Sequence, residues 1–487
     1  MPVPSAPGPG DAVQVIRLYK SEDKIHPRSV DGFYARWRWA IVALTQLVFY
    51  GLPWLSWGER QAVLFDLGSR RFYIFGLVLY PQDFVYLTGL LMISAYALFL
   101  FTAVAGRLWC GYACPQTVYT ELFMLIERWF EGDRNARLRL QKAPWSWTKL
   151  WRKAGKQSAW IALGLWTGFT FVGYFTPIQT LAREVLAFGM GPWETFWVLF
   201  YGFATYGNAG YMREQVCKYM CPYARFQSAM FDRDTLIVSY DPERGEPRGK
   251  NAQRGKKGEV RSAAAPVGDC IDCNLCVQVC PTGIDIRDGL QYECIGCAAC
   301  IDVCNGVMDK MGTERGLIRY DTENGLEQRL TRAQRWQHVL RPRVLIYTAV
   351  LLVICTALMW SLLSRHSFRV DIVRDRASMA RLVEDGWIEN VYRLQVMNAT
   401  ESPQRYRIEA EGLPGLALTQ AATVDLGPAE ARWVAVALRV PPETAQQLKA
   451  GAHPMRWRIS RFSRISDDTG GSAAETVVEK STFVLPR

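Results

Sequence analysis

Five long uncharged stretches dominate the hydrophobic pattern of this chain. None contains Asp, Glu, Lys or Arg, and each is about as long as the ~20 residues that a helix needs to cross the hydrocarbon core of a bilayer. They are residues 39–58, 84–106, 158–182, 195–212 and 344–364. A further apolar run, 72–82, is too short to cross and is expected at the interface or in a loop. The pattern predicts an integral membrane protein with an α-helical transmembrane bundle of five spans.

The distribution of Lys and Arg predicts the orientation of these spans. The loop 107–157 is rich in basic residues, whereas the loops 59–83 and 183–194 carry few. Because basic loops stay in the cytoplasm, the N-terminus is expected inside. With five spans, the C-terminus is then expected outside.

The polar remainder divides into three parts. Residues 1–38 form an N-terminal tail, with a Pro/Gly-rich start that is expected to be disordered. The spans 39–212 lead into a cytoplasmic segment, 213–343, and the last span, 344–364, leads into 365–487. Within the cytoplasmic segment, 240–268 is rich in Pro, Gly and basic residues and is expected to be a solvated linker near anionic headgroups.

Short alternating apolar runs mark the C-terminal part. They cover 368–373, 391–397, 404–410, 432–440 and 455–462, with turn residues between them. This pattern is typical of an antiparallel β-sandwich. The part contains no Cys, so it folds without a disulfide. Asn398-Ala-Thr400 matches a glycosylation sequon, and we interpret it as a chance match.

Composition narrows the function classes. The chain has 487 residues and a net charge of +11, but the cytoplasmic loops account for much of that charge without nucleic acid. Only four His are present, and none lies beside a candidate nucleophile. A hydrolase triad therefore has little support.

Eight of the 13 cysteines form two runs, 270–280 and 294–304, each with the spacing C-x2-C-x2-C-x3-C. Bacterial ferredoxins bind 4Fe-4S clusters with this spacing, and in the two-cluster arrangement the last Cys of each run ligates the other cluster. The runs therefore predict a ferredoxin-like α+β insert, at about 262–312, that binds two 4Fe-4S clusters. The expected ligand sets are Cys270, Cys273, Cys276 and Cys304 for one cluster, and Cys294, Cys297, Cys300 and Cys280 for the other.

Zinc and disulfides explain these runs less well. Zinc sites pair two C-x2-C units, and disulfide frameworks suit small secreted domains. One departure from the repeat is Asn305, which stands where Pro281 follows the first run. It is expected to change the turn and leave the ligands unchanged.

Two shorter cysteine motifs follow the second and fourth predicted spans. They read Cys110-Gly-Tyr-Ala-Cys114-Pro and Cys217-Lys-Tyr-Met-Cys221-Pro. On a helix, positions i and i+4 share a face, so each motif is expected to present two thiols together. If the two spans are neighbours, four soft ligands converge, which favours Cu(I), zinc or another iron–sulfur centre. The alternative is that these cysteines are small apolar residues packed at helix ends.

Taken together, the two C-x3-C-P motifs, Gly245-Glu-Pro-Arg-Gly249, the double ferredoxin run and Gly316-Leu-Ile-Arg-Tyr320 resemble the FixG/CcoG/RdxA cytochrome c oxidase accessory proteins. The resemblance covers nearly the whole chain. It implies a multi-pass protein of the bacterial inner membrane with cytoplasmic clusters and a periplasmic immunoglobulin-like C-terminal domain.

The resemblance also implies a function. It implies a role in cbb-type oxidase assembly, by reduction of Cu(II) to Cu(I), with Cys110, Cys114, Cys217 and Cys221 contacting copper. The expected partners are the lipid bilayer, oxidase subunits or copper-delivery proteins, and an unidentified electron donor, but not nucleic acid; a homodimer is left open. Two other functions remain open, a copper-binding scaffold that does not reduce the metal and a quinol-linked electron relay to another protein.

Overall fold

The computed structural model describes residues 24–249, 268–375, 380–420, 422–462 and 475–486. The Pro/Gly-rich start of the N-terminal tail and most of the basic linker, 250–267, lie outside the described residues.

The helices and strands are numbered in chain order. The helices are α1 (Phe33–Gly51), α2 (Phe84–Ala105), α3 (Leu108–Tyr112), α4 (Pro115–Glu131), α5 (Arg134–Lys142), α6 (Trp147–Val172), α7 (Ile178–Leu186), α8 (Pro192–Gly207), α9 (Pro222–Met230), α10 (Pro242–Gly245), α11 (Leu275–Val279), α12 (Ala299–Met311), α13 (Glu323–Glu327), α14 (Arg332–Val339), α15 (Pro342–Leu363) and α16 (Pro442–Gln447). The strands are β1 (Ser56–Trp57), β2 (Arg60–Gln61), β3 (Val63–Asp66), β4 (Arg71–Ile74), β5 (Leu77–Leu79), β6 (Ile237–Tyr240), β7 (Ile318–Asp321), β8 (Phe368–Arg374), β9 (Arg381–Leu382), β10 (Ile388–Asn398), β11 (Gln404–Glu411), β12 (Ala417–Leu418), β13 (Ala422–Leu426), β14 (Ala431–Val440), β15 (Gly451–Phe462) and β16 (Glu475–Leu485).

Five long helices, α1, α2, α6, α8 and α15, lie where the sequence predicts spans. By length and composition, two helices of the described residues are apolar enough to cross a membrane, Pro81–Ala105 and Pro342–Leu363. The five-span bundle therefore stays a prediction.

Three of the predicted spans have different bounds in the structure. α1 ends at Gly51, because Pro53 interrupts the helix and a single 3₁₀ turn follows. α6 begins at Trp147, well before residue 158. The Ser146 hydroxyl caps this start by accepting a hydrogen bond from the Lys149 N–H. It ends at Val172, so the second half of the predicted span 158–182 belongs to a turn and to α7. α8 ends at Gly207 and gives way to a π-helical turn over Asn208–Met212.

Four of the five long helices pack as two pairs, α6 with α8 and α2 with α15. α6 and α8 approach closely because Gly164 and Gly168 of α6 face Gly202 of α8; a Cβ added at Gly164 would lie 2.8 Å from the Gly202 carbonyl oxygen. Small residues four apart permit such contact between membrane helices. α15 packs along α2, where the Tyr86 hydroxyl donates to the Ser361 carbonyl at 3.1 Å.

One end of the helices meets the ferredoxin segment. Both oxygens of Asp302 on α12 accept backbone N–H groups at the start of α1, and the Leu236 N–H binds the Val104 carbonyl at the end of α2. The other end meets the C-terminal part, where Asp83 before α2 pairs with Arg365 and Arg369 after α15. After α6, the Gly173 carbonyl accepts from Gln61, which follows α1, and after α8, the Asn208 carbonyl accepts from Gln116, which follows α2 and α3. Chain direction therefore alternates between the two ends in successive long helices.

The run 72–82, expected at an interface or in a loop, instead forms strands. β3, β4 and β5 make a three-stranded antiparallel sheet, and a 3₁₀ turn over Pro81–Asp83 leads into α2. Tyr73, Val78 and Tyr80 of this region pack in one apolar cluster with Met397 and Ala429 of the C-terminal part. The short sheet thus supports the C-terminal domain on the helix bundle.

The ferredoxin segment is a small α+β unit, as predicted, but it extends beyond 262–312. β6 and β7 pair antiparallel, and their residues Val238, Tyr240 and Ile318 share one core with Cys270 and Cys276. The unit therefore begins before the linker and ends after α12.

The C-terminal part is a sandwich of two antiparallel sheets, which confirms the prediction. One sheet has the order β12-β14-β10-β8, with β9 also pairing β10, and the other has the order β13-β11-β15-β16. Large aromatic side chains that are fully buried form the core between them: Phe368, Tyr392, Tyr406, Trp457 and Phe483. Asn398 is buried and its side-chain amide donates to the carbonyls of Ser402 and Gly427, so its role is to hold a turn. This agrees with the interpretation of the sequon as a chance match.

Candidate iron–sulfur and thiol site

The two ferredoxin loops share one backbone conformation. Between the first and third cysteines of each run, two residues are left-handed: Asp272 and Asn274 in the first loop, Gly296 and Ala298 in the second. Left-handed residues within a short loop let successive N–H groups turn toward a bound anion. The conformation of Ala298, with φ at 59°, is costly for a residue with a Cβ, so the loop is shaped for a ligand.

The structure brings together the two sets of four cysteines that the spacing predicts. Cys304 lies among Cys270, Cys273 and Cys276, and these four line one small cavity. Cys280 lies among Cys294, Cys297 and Cys300, and these four line a second small cavity that Cys276 also borders. We call them the first and second sets.

Burial raises the pKa of five of these thiols and makes them hard to ionise without a cation: Cys276, Cys294, Cys297, Cys300 and Cys304. Burial and neighbouring thiols raise the pKa of Cys304 to about 12, and burial raises that of Cys294 to about 12. Backbone hydrogen bonds act against this rise in pKa. The Gly296 N–H donates to the Cys294 sulfur and the Ile318 N–H donates to the Cys304 sulfur, and each bond lowers the pKa of its thiol. Four sulfurs around a cavity, most of them at least partly buried and several favoured as anions by N–H groups or a nearby arginine, fit a polynuclear iron centre.

The C-x3-C motifs do not lie on continuous helices, so the prediction that each pair shares one helix face is wrong. Cys110 lies in α3, and Cys114 is the extended residue that precedes Pro115 and α4. Cys217 lies in a π-helical turn over Val216–Met220, and Cys221 is the extended residue that precedes Pro222 and α9. The physical reason is that proline excludes the helical conformation at the residue before it and favours the first position of a new helix.

The four thiols of these motifs nevertheless come close together. Burial, followed by the thiols of Cys114, Cys110 and Cys221, raises the pKa of Cys217 to about 12. Burial and the Cys114 thiol raise the pKa of Cys110 to about 11. In the described residues, no three His, Cys, Asp or Glu side chains converge on a position for a single metal ion. The thiols therefore form a loose group, which we call the C-x3-C group.

Polar contacts from α4 hold the two motifs side by side. The Gln116 side-chain amide donates to the carbonyls of Asn208 and Arg213, at 2.9 and 3.1 Å. Glu127, which is buried, binds Arg213 and Arg137 at 2.9 Å each. Burial alone would raise the pKa of Glu127, but the two arginines lower it to about 2. Since Arg213 lies only four residues before Cys217, these bonds fix the distance of the second motif from the first.

The C-x3-C group lies against the second ferredoxin loop. A Cβ added at Gly111 would lie 2.8 Å from the carbonyl oxygens of Ile295 and Gly296 and 2.9 Å from the Cα of Cys297. Cys110 and Cys217 also share an apolar cluster with Ile295 and Cys297. The residue between Cys110 and Tyr112 must therefore be glycine for the two backbones to touch.

One buried arginine joins the same two places. Arg107, which is 7% exposed, donates to the carbonyls of Ala224 and Cys294, at 2.6 and 3.4 Å, and to that of Tyr292. Its charge favours the thiolates of Cys110, Cys217 and Cys294. It thus lies between the C-x3-C group and the second set.

Comparisons with known proteins agree with this architecture. The "4Fe-4S dicluster domain" family model matches residues 212–323, the "4Fe-4S binding domain" model matches 87–133, and a model described as an "IG-like fold at C-terminal of FixG" matches 358–486. The chain is 38% identical over 504 residues to the nitrogen fixation protein FixG of Rhizobium meliloti, covering 96% of this chain and 94% of that protein. It is 42% identical over 415 residues to protein RdxB of Cereibacter sphaeroides, covering 83% and 86%.

The chain belongs to the FixG/RdxA family. It is an iron–sulfur electron-transfer protein with two 4Fe-4S clusters, which confirms the resemblance and the cofactor predicted from the two cysteine runs. A crystal structure of a FixG-related protein from Vibrio parahaemolyticus matches 25% of this chain and 97% of its own, at 20% identity and a TM-score of 0.20. That score is too low to carry an argument.

Several residues around the site of this FixG-family protein escape sequence reasoning. Arg38 of α1 donates to the Cys297 carbonyl at 3.2 Å, and Asp302, inside the second cysteine run, binds the start of α1. Arg107 and Gln116 flank the first C-x3-C motif. Each acts on residues far away in sequence, so spacing alone contains no signal for its role; only the adjacency of Arg107 and Gln116 to a cysteine motif could have drawn attention to them.

Proposed function

We propose that this FixG-family protein reduces Cu(II) to Cu(I) for the assembly of a cbb-type cytochrome c oxidase. The observation that carries the proposal is the direct contact between the C-x3-C group and the second ferredoxin loop, through Gly111, Ile295 and Gly296. This contact supports the proposal because it would bring soft metal ligands next to a one-electron centre. Copper is the substrate here, not a resident cofactor.

The proposed cluster ligands are the two cysteine sets of the structure. The first cluster would be bound by Cys270, Cys273, Cys276 and Cys304, and the second cluster by Cys280, Cys294, Cys297 and Cys300. The clusters supply single electrons. The chain's own part is to bury the sulfurs, to aim N–H groups at them and to keep the two sets adjacent. Adjacency follows from α12, since Cys300 and Cys304 lie one turn apart on it and belong to different sets.

The C-x3-C group supplies the chemistry at copper. Reduction adds one electron to Cu(II), and the product Cu(I) is the softer ion, which thiolates prefer. Arg107 offsets the negative charge of the thiolates, and the buried Gln227 accepts a hydrogen bond from the Cys110 thiol at 3.5 Å. The four thiols form a loose group at two helix junctions, one between α3 and α4 and one before α9. Their side chains would therefore rotate toward copper when it binds.

We further propose that α1, α2, α6, α8 and α15 cross the bacterial inner membrane. All five carry exposed large apolar side chains, among them Leu47, Phe203 and Trp360, each more than 70% exposed. In water such surfaces are unfavourable. The alternation of chain direction and the basic residues of 107–157 then support cytoplasmic clusters and a periplasmic sandwich.

Two double variants test the copper proposal. Cys110→Ser/Cys114→Ser and Cys217→Ser/Cys221→Ser should each abolish Cu(I) formation from Cu(II) by the purified, pre-reduced protein, measured with a Cu(I)-specific chelator. Both should keep full iron and sulfide content. The defects should be similar, and combining them should add little, because two thiols from one motif form an incomplete site.

Other outcomes point to other functions. Additive defects would indicate two separate copper sites. Copper binding without reduction in the pre-reduced wild-type protein would indicate a scaffold. A quinol-linked relay to another protein would be favoured by two results together. Added quinol would reduce the clusters, and the variant that combines both double replacements would reduce Cu(II) as fast as the wild type.

A further inference from the structure

The surroundings of the two cysteine sets differ in charge. At the first set, the buried Arg287 lies near Cys276 and binds two carboxylates, Asp272 at 2.7 Å and Asp285 at 2.6 Å. The next charged groups there, Arg248 and Glu246, pair with each other. Asp269, which precedes Cys270, likewise pairs with Arg244. Among the described residues of this side, each of these arginines is therefore offset by a carboxylate.

At the second set, by contrast, one of the two arginines has no carboxylate partner among the described residues. Arg38 donates to the Cys297 carbonyl and binds one carboxylate, Glu121, at 3.2 Å. Arg107 donates to three backbone carbonyls, Cys294 among them, and no carboxylate of the described residues pairs with it. Asp302 also lies on this side, but its oxygens bind N–H groups at the start of α1, where the helix dipole is positive.

Charge of this kind acts on the reduction of a cluster. Each reduction adds one negative charge, which a nearby buried cation stabilises and a nearby carboxylate destabilises. Reduction potentials of such clusters depend on local charge and solvent exposure. Of the two arginines on the second side, Arg107 is the one whose charge no carboxylate of the described residues offsets.

We infer that the second cluster has the higher reduction potential, that Arg107 sets this difference, and that electrons pass from the first cluster through the second to the C-x3-C group. The inference rests on the ligand sets of the proposed function. With both clusters bound, the first would be oxidised by one electron and the second reduced by one, and the Cu(II) held by the C-x3-C group would then accept that electron. Arg107 is a positioning residue, since it acts through the loop carbonyls and its charge.

A redox titration followed by EPR tests the inference on the full-length purified protein. The wild type should show two separate midpoint potentials. Arg107→Gln should lower the higher midpoint and leave the lower one in place. At a fixed potential the ratio of reduced to oxidised second cluster should fall at least tenfold, which for a one-electron couple equals about 59 mV. Arg107→Lys, which keeps the charge, should restore most of the difference.

Matched measurements keep the test decisive. Arg315→Gln removes an exposed arginine that pairs with Asp309, and it should change neither midpoint. Iron and sulfide content shows whether Arg107→Gln has kept both clusters; if it has not, Arg107→Lys against wild type decides the question. Indistinguishable midpoints in the wild type, or a shift of the lower midpoint alone, would overturn the inference. The copper proposal would survive that result, because Cu(I) formation is measured separately.

Discussion

Replacing Asp302 with alanine should weaken the attachment of α1 to the ferredoxin unit. The Asp302 side chain is buried, and its oxygens accept the Tyr34 and Ala35 N–H groups at 3.2 and 2.7 Å. Gly32, the residue at the start of α1, makes no side-chain cap of its own. The carboxylate from α12 therefore replaces the missing cap.

The expected loss follows from these two bonds. Each buried N–H that loses its partner costs about 1–3 kcal/mol, and loss of a helix N-cap typically costs about 1 kcal/mol. Because water can reach the half-buried Tyr34 N–H, we expect a total of about 2–4 kcal/mol. Asp302→Asn keeps one acceptor oxygen and should cost roughly half as much.

Urea titration of the purified protein, followed by the visible absorption of the clusters, measures this loss. Asp302→Ala should lower the midpoint clearly, whereas Asp309→Ala on the same helix should not, because Asp309 is exposed with its partner Arg315. Gly32→Ala should give a similar defect, since an added Cβ would collide with the Asp302 carboxylate. Equal midpoints for Asp302→Ala and Asp309→Ala would refute the capping argument.

Three further predictions concern other contacts. Asp83→Asn breaks a buried ion pair with Arg365, at 2.5 Å, and should lower the free energy of unfolding by about 3–5 kcal/mol. Limited proteolysis should then release the C-terminal sandwich faster than in the wild type, and an unchanged rate of release would contradict this prediction. A reporter fused after Arg487 should be active only if it works outside the cytoplasm, and cytoplasmic activity would mean that the number of spans is even. Gly111→Ala should slow Cu(I) formation while both clusters stay intact, because the added Cβ would displace the loop at Cys297; an unchanged rate would remove the electron path proposed here.

The sequence predicts those parts of the fold that depend on local patterns. Alternation at period two marks β8, β10, β11, β14 and β15, because each strand buries one face. The sheet of β3, β4 and β5 escapes notice, since its strands have four residues or fewer and their apolar positions contact a distant domain. Helix ends depend on local stops, and Pro53 and Ser146 move two of them away from the hydrophobic boundary.

At the site, spacing indicates which cysteines group together, because three of each set lie on one short loop. It does not indicate the breaks at Cys114 and Cys221, although the following prolines are a readable signal for them. The contact of Gly111 with the second loop and the position of Arg107 arise from the packing of segments far apart in sequence. No local pattern contains that information.

The most direct test of the central claim is a single-turnover reaction. Anaerobic protein with both clusters reduced is mixed with one equivalent of Cu(II), and cluster absorption is followed together with Cu(I) formation. We predict that the clusters lose one electron for each Cu(I) formed, at equal rates, and that the variant with Cys110, Cys114, Cys217 and Cys221 all replaced by serine stays reduced. Wild-type rates of cluster oxidation and Cu(I) formation in that variant would contradict the claim that these thiols bind the copper that receives the electron.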